Sequence, residues 1–260
     1  MIAFTRAVPS TIVGCELTHL AREPIDLAVA VAQHERYEVA LREAGMSVTR
    51  VPARDDLPDS VFVEDTAIVL DEIAVMTRPG APKRRDEVES VRDVLAAHRP
   101  LASISEPSTL DGGDVLVLDR DVYVGLTARS SLSGVQQLRA ILSPLGYTVR
   151  AVPVGGCLHL KSAVTRAGAR LLVVNPEWVD PATFAGWETL PVDSREPHAA
   201  NVLWLGSVTI VPEAFERTNA RLARATDVRL VPVPASELAK AEGGVTCCSL
   251  ILNNRPSADY

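Results

Sequence analysis

Residues 110–126, LDGGDVLVLDRDVYVGL, decide the fold. A polar turn carrying two glycines leads into Val115–Leu118, and Val122–Val124 follows after a short charged break. Two brief β-branched runs this close together read as a hairpin. Beyond them Ser131–Leu145 has a helical apolar period, with serines at its start and Gly146 at its end. TVRAV (148–152) then supplies a third strand, so the unit is hairpin, helix, strand.

Working outward, the unit recurs along the chain. VEDTAIVL is followed by IAVMT, a helix over Lys83–His98 and the strand LASIS. HLKSAV is followed by ARLLVV, and NVLWL by SVTIV, the helix Glu216–Ala225 and VRLVPV. Further strands are expected at Val61–Val63, Ala67–Leu70, Ala74–Thr77, Leu171–Val174, Val202–Leu205, Val208–Val211 and Cys248–Leu252, and a helix at Ile25–Ala44. The segment Pro176–Trp187 is irregular, so the repeat is degenerate there. The N-terminal run IAFTRAV would pair with SLIL and close a ring. The expected architecture is an α/β fold, a five-fold pseudosymmetric propeller of hairpin-helix-strand modules around a central channel, in one domain spanning residues 1–260.

Five polar residues share one phase of this repeat. Asp65, Asp111, His159, Asn201 and Cys247 each stand just before or at an apolar strand, at separations of 46, 48, 42 and 46 residues. Radial stacking would bring all five to the channel. Singly, each has an ordinary reading: Asp65 and Asp111 as turn formers, His159 as a core histidine, Cys247 or Cys248 as buried packing, Asn201 as a partner for a backbone turn. Together they are a nucleophile, a proton carrier and carboxylates. Two inward carboxylates suit a planar cation such as guanidinium, and a thiol aimed at its carbon suits C–N hydrolysis through a thiouronium.

Composition is consistent with that reading. Hydrophobic residues are 47% and charged residues 23% of the 260, ordinary globular usage. The net charge of −7 argues against nucleic acid as the partner. No apolar run reaches the ~18 residues of a membrane span, and MIAFTRAVPS does not read as a secretory signal. Cys15, Cys157, Cys247 and Cys248 lack the spacing of a disulfide framework or zinc site, so a reducing, cytoplasmic setting with no metal is expected.

Seven ordered motifs, PDSVFVEDTAIVL, MTRPGAPKRR, TLDGGDVLVL, YVGLTAR, LHLKS, AANVLWL and GGVTCCSLIL, resemble the dimethylarginine dimethylaminohydrolase (dimethylargininase) family over essentially the whole chain. The resemblance implies the propeller of the guanidino-group modifying enzymes and hydrolysis of dimethyl- and monomethylarginine to citrulline plus the methylamine, without a cofactor. It implies Cys247 as nucleophile, His159 as proton donor and later base, and Asp65 and Asp111 on opposite sides of the guanidinium. It further implies Asp59 for the α-ammonium, Arg84 with Arg129 for the α-carboxylate, and substrate contacts at Glu64, Leu17 and Ala241. Leu17 corresponds to a mobile-loop residue and Ala241 to a backbone contact; Ala241 and its neighbour Glu242 depart from the family pattern. A monomer or homodimer acting on a small molecule is expected. The rivals are an arginine or agmatine deiminase of the same architecture, and a non-catalytic arginine-binding propeller. Arginine deiminases look longer, and agmatine needs no carboxylate clamp.

Overall fold

The computed structural model describes residues 1–253. Chain order runs β1 (Ile2–Arg6), α1 (Leu27–Glu43), β2 (Ser47–Val51), then β3 (Ala67–Val69), β4 (Ala74–Met76), α2 (Glu89–Ala96) and β5 (Leu101–Ser103). The central modules follow as β6 (Val115–Leu118), β7 (Asp121–Leu126), α3 (Leu132–Leu142), β8 (Thr148–Pro153), then α4 (Leu160–Ala163), β9 (Val164–Arg166), β10 (Leu171–Val174) and β11 (Glu188–Pro191). The chain finishes with β12 (Leu203–Trp204), β13 (Val208–Pro212), α5 (Glu216–Ala225), β14 (Arg229–Val233), α6 (Ser236–Ala239) and β15 (Leu250–Leu252).

These strands form five sheets of three, all built alike. In each, the first strand is antiparallel to the second and the second is parallel to the third, as in β6–β7–β8, where Val115 faces Val124 and Val124 faces Ala151. The fifth sheet takes β15 from the C-terminal end and β1 and β2 from the start, with Ile2 opposite Leu252. That pairing closes the ring within one chain. The first strands β3, β6, β9, β12 and β15 all contribute residues to one axial channel. Buried clusters between the modules hold the blades together, for example Ile68, Leu70 and Val75 of one module against Leu110, Val115, Val122 and Val135 of the next.

Local signals set the helix ends. Asp26 accepts from the Val29 N–H and Ser131 from the Gly134 N–H, so α1 and α3 start just inside the expected ranges. α3 stops at Leu142 because Pro144 follows, and Gly146 turns the chain at φ 80°. The helix expected over Lys83–His98 is divided into a 3₁₀ stretch, Pro82–Glu87, and α2. Arg84 and Glu87 are turned into the protein there, and the tighter turn serves that placement. In the irregular segment a 3₁₀ turn, Pro181–Phe184, stands where other modules have a helix.

Two expected strands need correction. Val61–Val63 is a turn: the Phe62 N–H bonds the Asp59 carbonyl and the Glu64 N–H bonds the Cys247 carbonyl, leaving no ladder. Cys247 and Cys248 also lie in a turn, and β15 begins only at Leu250. A buried apolar run resembles a strand in sequence, whereas here its polar backbone is satisfied by turns that present side chains to the channel.

Candidate active site

All five phase-sharing residues are buried and gather at one end of the channel. Each sits on the turn preceding a first strand. Val63–Thr66 and Gly112–Asp114 are 3₁₀ turns, His159 immediately precedes α4, and Asn201 and Cys247 precede β12 and β15. Glycine is required in the second turn: a Cβ on Gly113 would stand 2.5 Å from His159 Nδ1 and 2.8 Å from Asp65 Oδ1. The imidazole is therefore seated directly on the glycine backbone.

A narrow cavity is lined by Cys247, His159, Asp65, Asp59, Arg84, Arg129, Leu158, Ala241, Glu242 and Glu16, with Phe62 and Gly243 completing the wall. His159 is held from two sides. Its Nε2 is 3.0 Å from Asp111 Oδ2 and its Nδ1 is 3.8 Å from Asp65 Oδ1. Burial alone would lower the imidazole pKa, but Asp65, Asp111 and Asp114 together outweigh it and push it to about 9. His159 is thus an imidazolium at neutral pH. Burial, reinforced by Glu64 and Asp65, pushes the Cys247 thiol up to about 12. The Gly244 N–H reaches Cys247 Sγ at 3.3 Å and works weakly the other way.

Asp65 is held below the usual carboxylate range; burial opposes ionisation, and His159 and Arg84 overcome it. Its Oδ1 accepts from the Gly113 N–H at 2.8 Å and its Oδ2 from Arg84 Nη1 at 2.6 Å. Arg84 also makes a bidentate pair with Glu87, at 3.0 and 2.8 Å. A solvated cation is the ordinary reading of KRR, yet Arg84 is only 3% exposed. Arg129 differs: its Nη2 donates to Thr18 Oγ1, and its buried Nη1, 3.5 Å from Asp111, has no hydrogen-bond partner. Of the two arginines implied for a carboxylate, Arg84 is committed to Asp65 and Glu87, whereas Arg129 reaches the overlying segment through Thr18 and meets Asp111 only as a looser ion pair.

The remaining expected residues separate. Asp59 and Ala241 line the cavity. Asp111, expected on the far side of the cation, bonds His159 Nε2 at 3.0 Å and is not among the residues lining the cavity. Glu64 faces the channel below, paired with Lys161 at 2.5 Å and accepting from Thr246 Oγ1 at 2.8 Å, so it does not line the cavity. Leu17 is half-buried in the segment over the cavity, and its neighbours Glu16 and Thr18 make the polar contacts. Asn201 bonds the Lys161 carbonyl and clasps Thr246 through both ends of its amide, which fixes the turn bearing Cys247.

Sequence reasoning missed Glu87 and Asp114, and read Glu242 only as a departure from the family pattern. Asp114 accepts from Thr127, Ser130 and the Leu160 N–H, bracing the turn beside His159. Its place in the quoted LDGGD motif was the available signal. Glu87 had none, being one of many acids on an expected helix.

Asp65, Asp111 and His159 each offer a ligand atom within 4.8 Å of the others, the spacing of a metal group. Those atoms already serve Arg84, the Gly113 N–H and one another, and two guanidinium groups stand beside them. Such surroundings disfavour a divalent cation electrostatically.

A ring of five α/β modules with a thiol, an imidazolium and carboxylates at one channel end defines a class, the propellers of the guanidino-group modifying enzymes. Residues 20–184 match the family model described as N,N dimethylarginine dimethylhydrolase, eukaryotic. N(G),N(G)-dimethylarginine dimethylaminohydrolase of Streptomyces coelicolor is 40% identical over 91% of this chain and 91% of its own length. The Pseudomonas aeruginosa enzyme, solved as a cysteine-to-serine variant complexed with citrulline, is 31% identical and superposes with a TM-score of 0.91 over 95% of this chain and 97% of that one. A dimethylarginine dimethylaminohydrolase histidine-to-glycine variant, solved as an adduct with S-methyl-L-thiocitrulline, is also 31% identical, with a TM-score of 0.90 over 95% and 98%. The chain belongs to the dimethylarginine dimethylaminohydrolase family.

Proposed function

We propose that the protein hydrolyses N(omega),N(omega)-dimethyl-L-arginine and N(omega)-monomethyl-L-arginine to L-citrulline and the corresponding methylamine. The observation that carries this reading is the set of side chains that line one narrow cavity. Cys247, His159 and Asp65 share it with Asp59 and with Arg129, whose Nη2 reaches Thr18 of the overlying segment and whose Nη1 faces Asp111 at 3.5 Å. That layout matches an amino acid held by its charged head while its cationic tail reaches the thiol.

In the proposed sequence, Arg129 takes the α-carboxylate and Asp59 the α-ammonium. Arg84, hydrogen-bonded to Asp65 and Glu87, joins His159 in keeping Asp65 ionised. The guanidinium seats against Asp65. Its charge stabilises the Cys247 thiolate, whose proton passes to solvent. The sulfur attacks the guanidinium carbon, the C–N bond to the methylated nitrogen breaks, and His159 gives that nitrogen its proton. The now neutral His159 takes a proton from water as the oxygen adds to the thiouronium. Collapse expels the sulfur, which takes the remaining hydroxyl proton and returns to the thiol, and leaves citrulline. Asp111 orients the imidazole throughout.

The enzyme needs no second copy to close its ring, and it works as a monomer or homodimer on a small molecule. No helix among the described residues is long and apolar enough to cross a membrane. Its four free thiols suit the reducing cytoplasm. The decisive experiment is citrulline release from dimethylarginine, monomethylarginine, arginine and agmatine in parallel. Turnover confined to the two methylated compounds is expected. Dominant arginine or agmatine turnover would sink the assignment, and arginine binding without citrulline would favour a non-catalytic binder.

A further inference from the structure

Residues 16–20 cross the cavity without joining any strand or helix. Among the described residues they make no backbone–backbone hydrogen bond to the body of the protein. Two carboxylates take their backbone donors instead. Asp59 accepts from the Glu16 N–H, at 3.2 and 3.1 Å. Glu242 accepts from three successive donors, the N–H groups of Thr18 at 3.0 Å, His19 at 2.5 Å and Leu20 at 2.7 Å. Lys83 to Glu16 at 2.7 Å and Arg129 to Thr18 at 3.1 Å complete the attachment.

Three consecutive N–H groups converging on one carboxylate form an anion-binding concavity. Glu242 fills it at a backbone φ of 60°, a left-handed conformation that glycine adopts at much less cost. The side chain therefore occupies a position its own backbone disfavours. Glu242 and its neighbours Ala241 and Gly243 all line the cavity, so the contact is made at the site itself.

We infer that Glu242 is a positioning residue: its carboxylate latches residues 18–20 over the cavity and so sets substrate retention. The inference rests on the proposed reaction only for the identity of the ligand retained. The latch excludes water from the reacting groups while the segment is down. Its release admits substrate and frees product.

The test uses Glu242→Gly, which removes the latch while placing at φ 60° the residue that adopts it at least cost. Two readouts are compared at matched thermal stability: tryptic cleavage after Arg22 in the empty enzyme, and KM against kcat for monomethylarginine. Losing charge-assisted hydrogen bonds should raise KM about ten-fold or more and speed cleavage similarly, with kcat changed less than KM. Glu242→Asp, which keeps a carboxylate, should recover part of both effects. Cleavage or KM left at the wild-type value in the glycine variant would overturn the latch. Faster cleavage in a protein with no methylarginine turnover would uphold the latch and refute the proposed reaction instead.

Discussion

Cys247 should be a neutral thiol at pH 7 when the cavity is empty, and the substrate should be what ionises it. Its pKa moves from 9.0 to about 12, first through burial and then through Glu64 and Asp65. A shift of that size disfavours the thiolate by about 4 kcal/mol, or about a thousandfold in population. The imidazolium of His159 does not cancel it, because Asp65 and Asp111 absorb that positive charge at 3.8 and 3.0 Å. The assay is inactivation by a neutral haloacetamide as a function of pH. The rate should climb steadily with pH and reach no plateau below about pH 10, well beyond an ordinary thiol near 8.5. A guanidinium ligand short enough to leave the sulfur open should lower the apparent pKa by offsetting Asp65. Glu64→Gln should lower it in the empty enzyme, leaving the burial contribution in place. An inactivation pKa at or below about 8.5 in the free enzyme would refute this argument and indicate a standing thiolate–imidazolium pair.

The other expectations concern separate parts of the site. Cys247→Ser should abolish turnover, whereas Cys248→Ser should keep it and lower Tm by a few degrees, about 1 kcal/mol for a hydroxyl in a buried apolar setting; equal loss of activity in both folded variants would show that Cys248 reaches the site. Gly113→Ala should cost most of the activity, because its methyl would meet His159 Nδ1 at 2.5 Å, and a fully active variant would show that the ring is not seated there. The His159 pKa is raised in the folded state to about 9, so its contribution to stability is complete below its ordinary pKa and is lost as pH rises through about 9. Wild type should therefore lose up to about 3 kcal/mol between pH 6.5 and 9.5 through this group, and His159→Gln should lack that component; parallel curves for the two proteins would contradict the shift.

The modular fold was legible in sequence because each blade needs little beyond local information. Alternating short apolar runs, turn residues and capped helices recur at a near-constant spacing, and the hairpin of Val115–Leu118 with Val122–Val124 forms where the sequence puts it. Residue type and repeat phase likewise gathered Asp65, Asp111, His159, Asn201 and Cys247 at one channel end. Tertiary structure decided what those residues face. VFV and TCC look like strand but turn, because their backbone groups are satisfied across modules, as in Glu64 N–H to Cys247 carbonyl. Asp111 went to His159, Glu64 to the channel beside Lys161, and Arg84 inward to Asp65 and Glu87. Electrostatic partners such as these lie 19 to 97 residues apart apart from the local Glu87. Burial strengthens their mutual attraction and makes an unpaired charge costly, so the choice of partner belongs to the assembled ring. Local pattern specifies the blades; the roles of their polar ends follow from where the closed ring puts each charge.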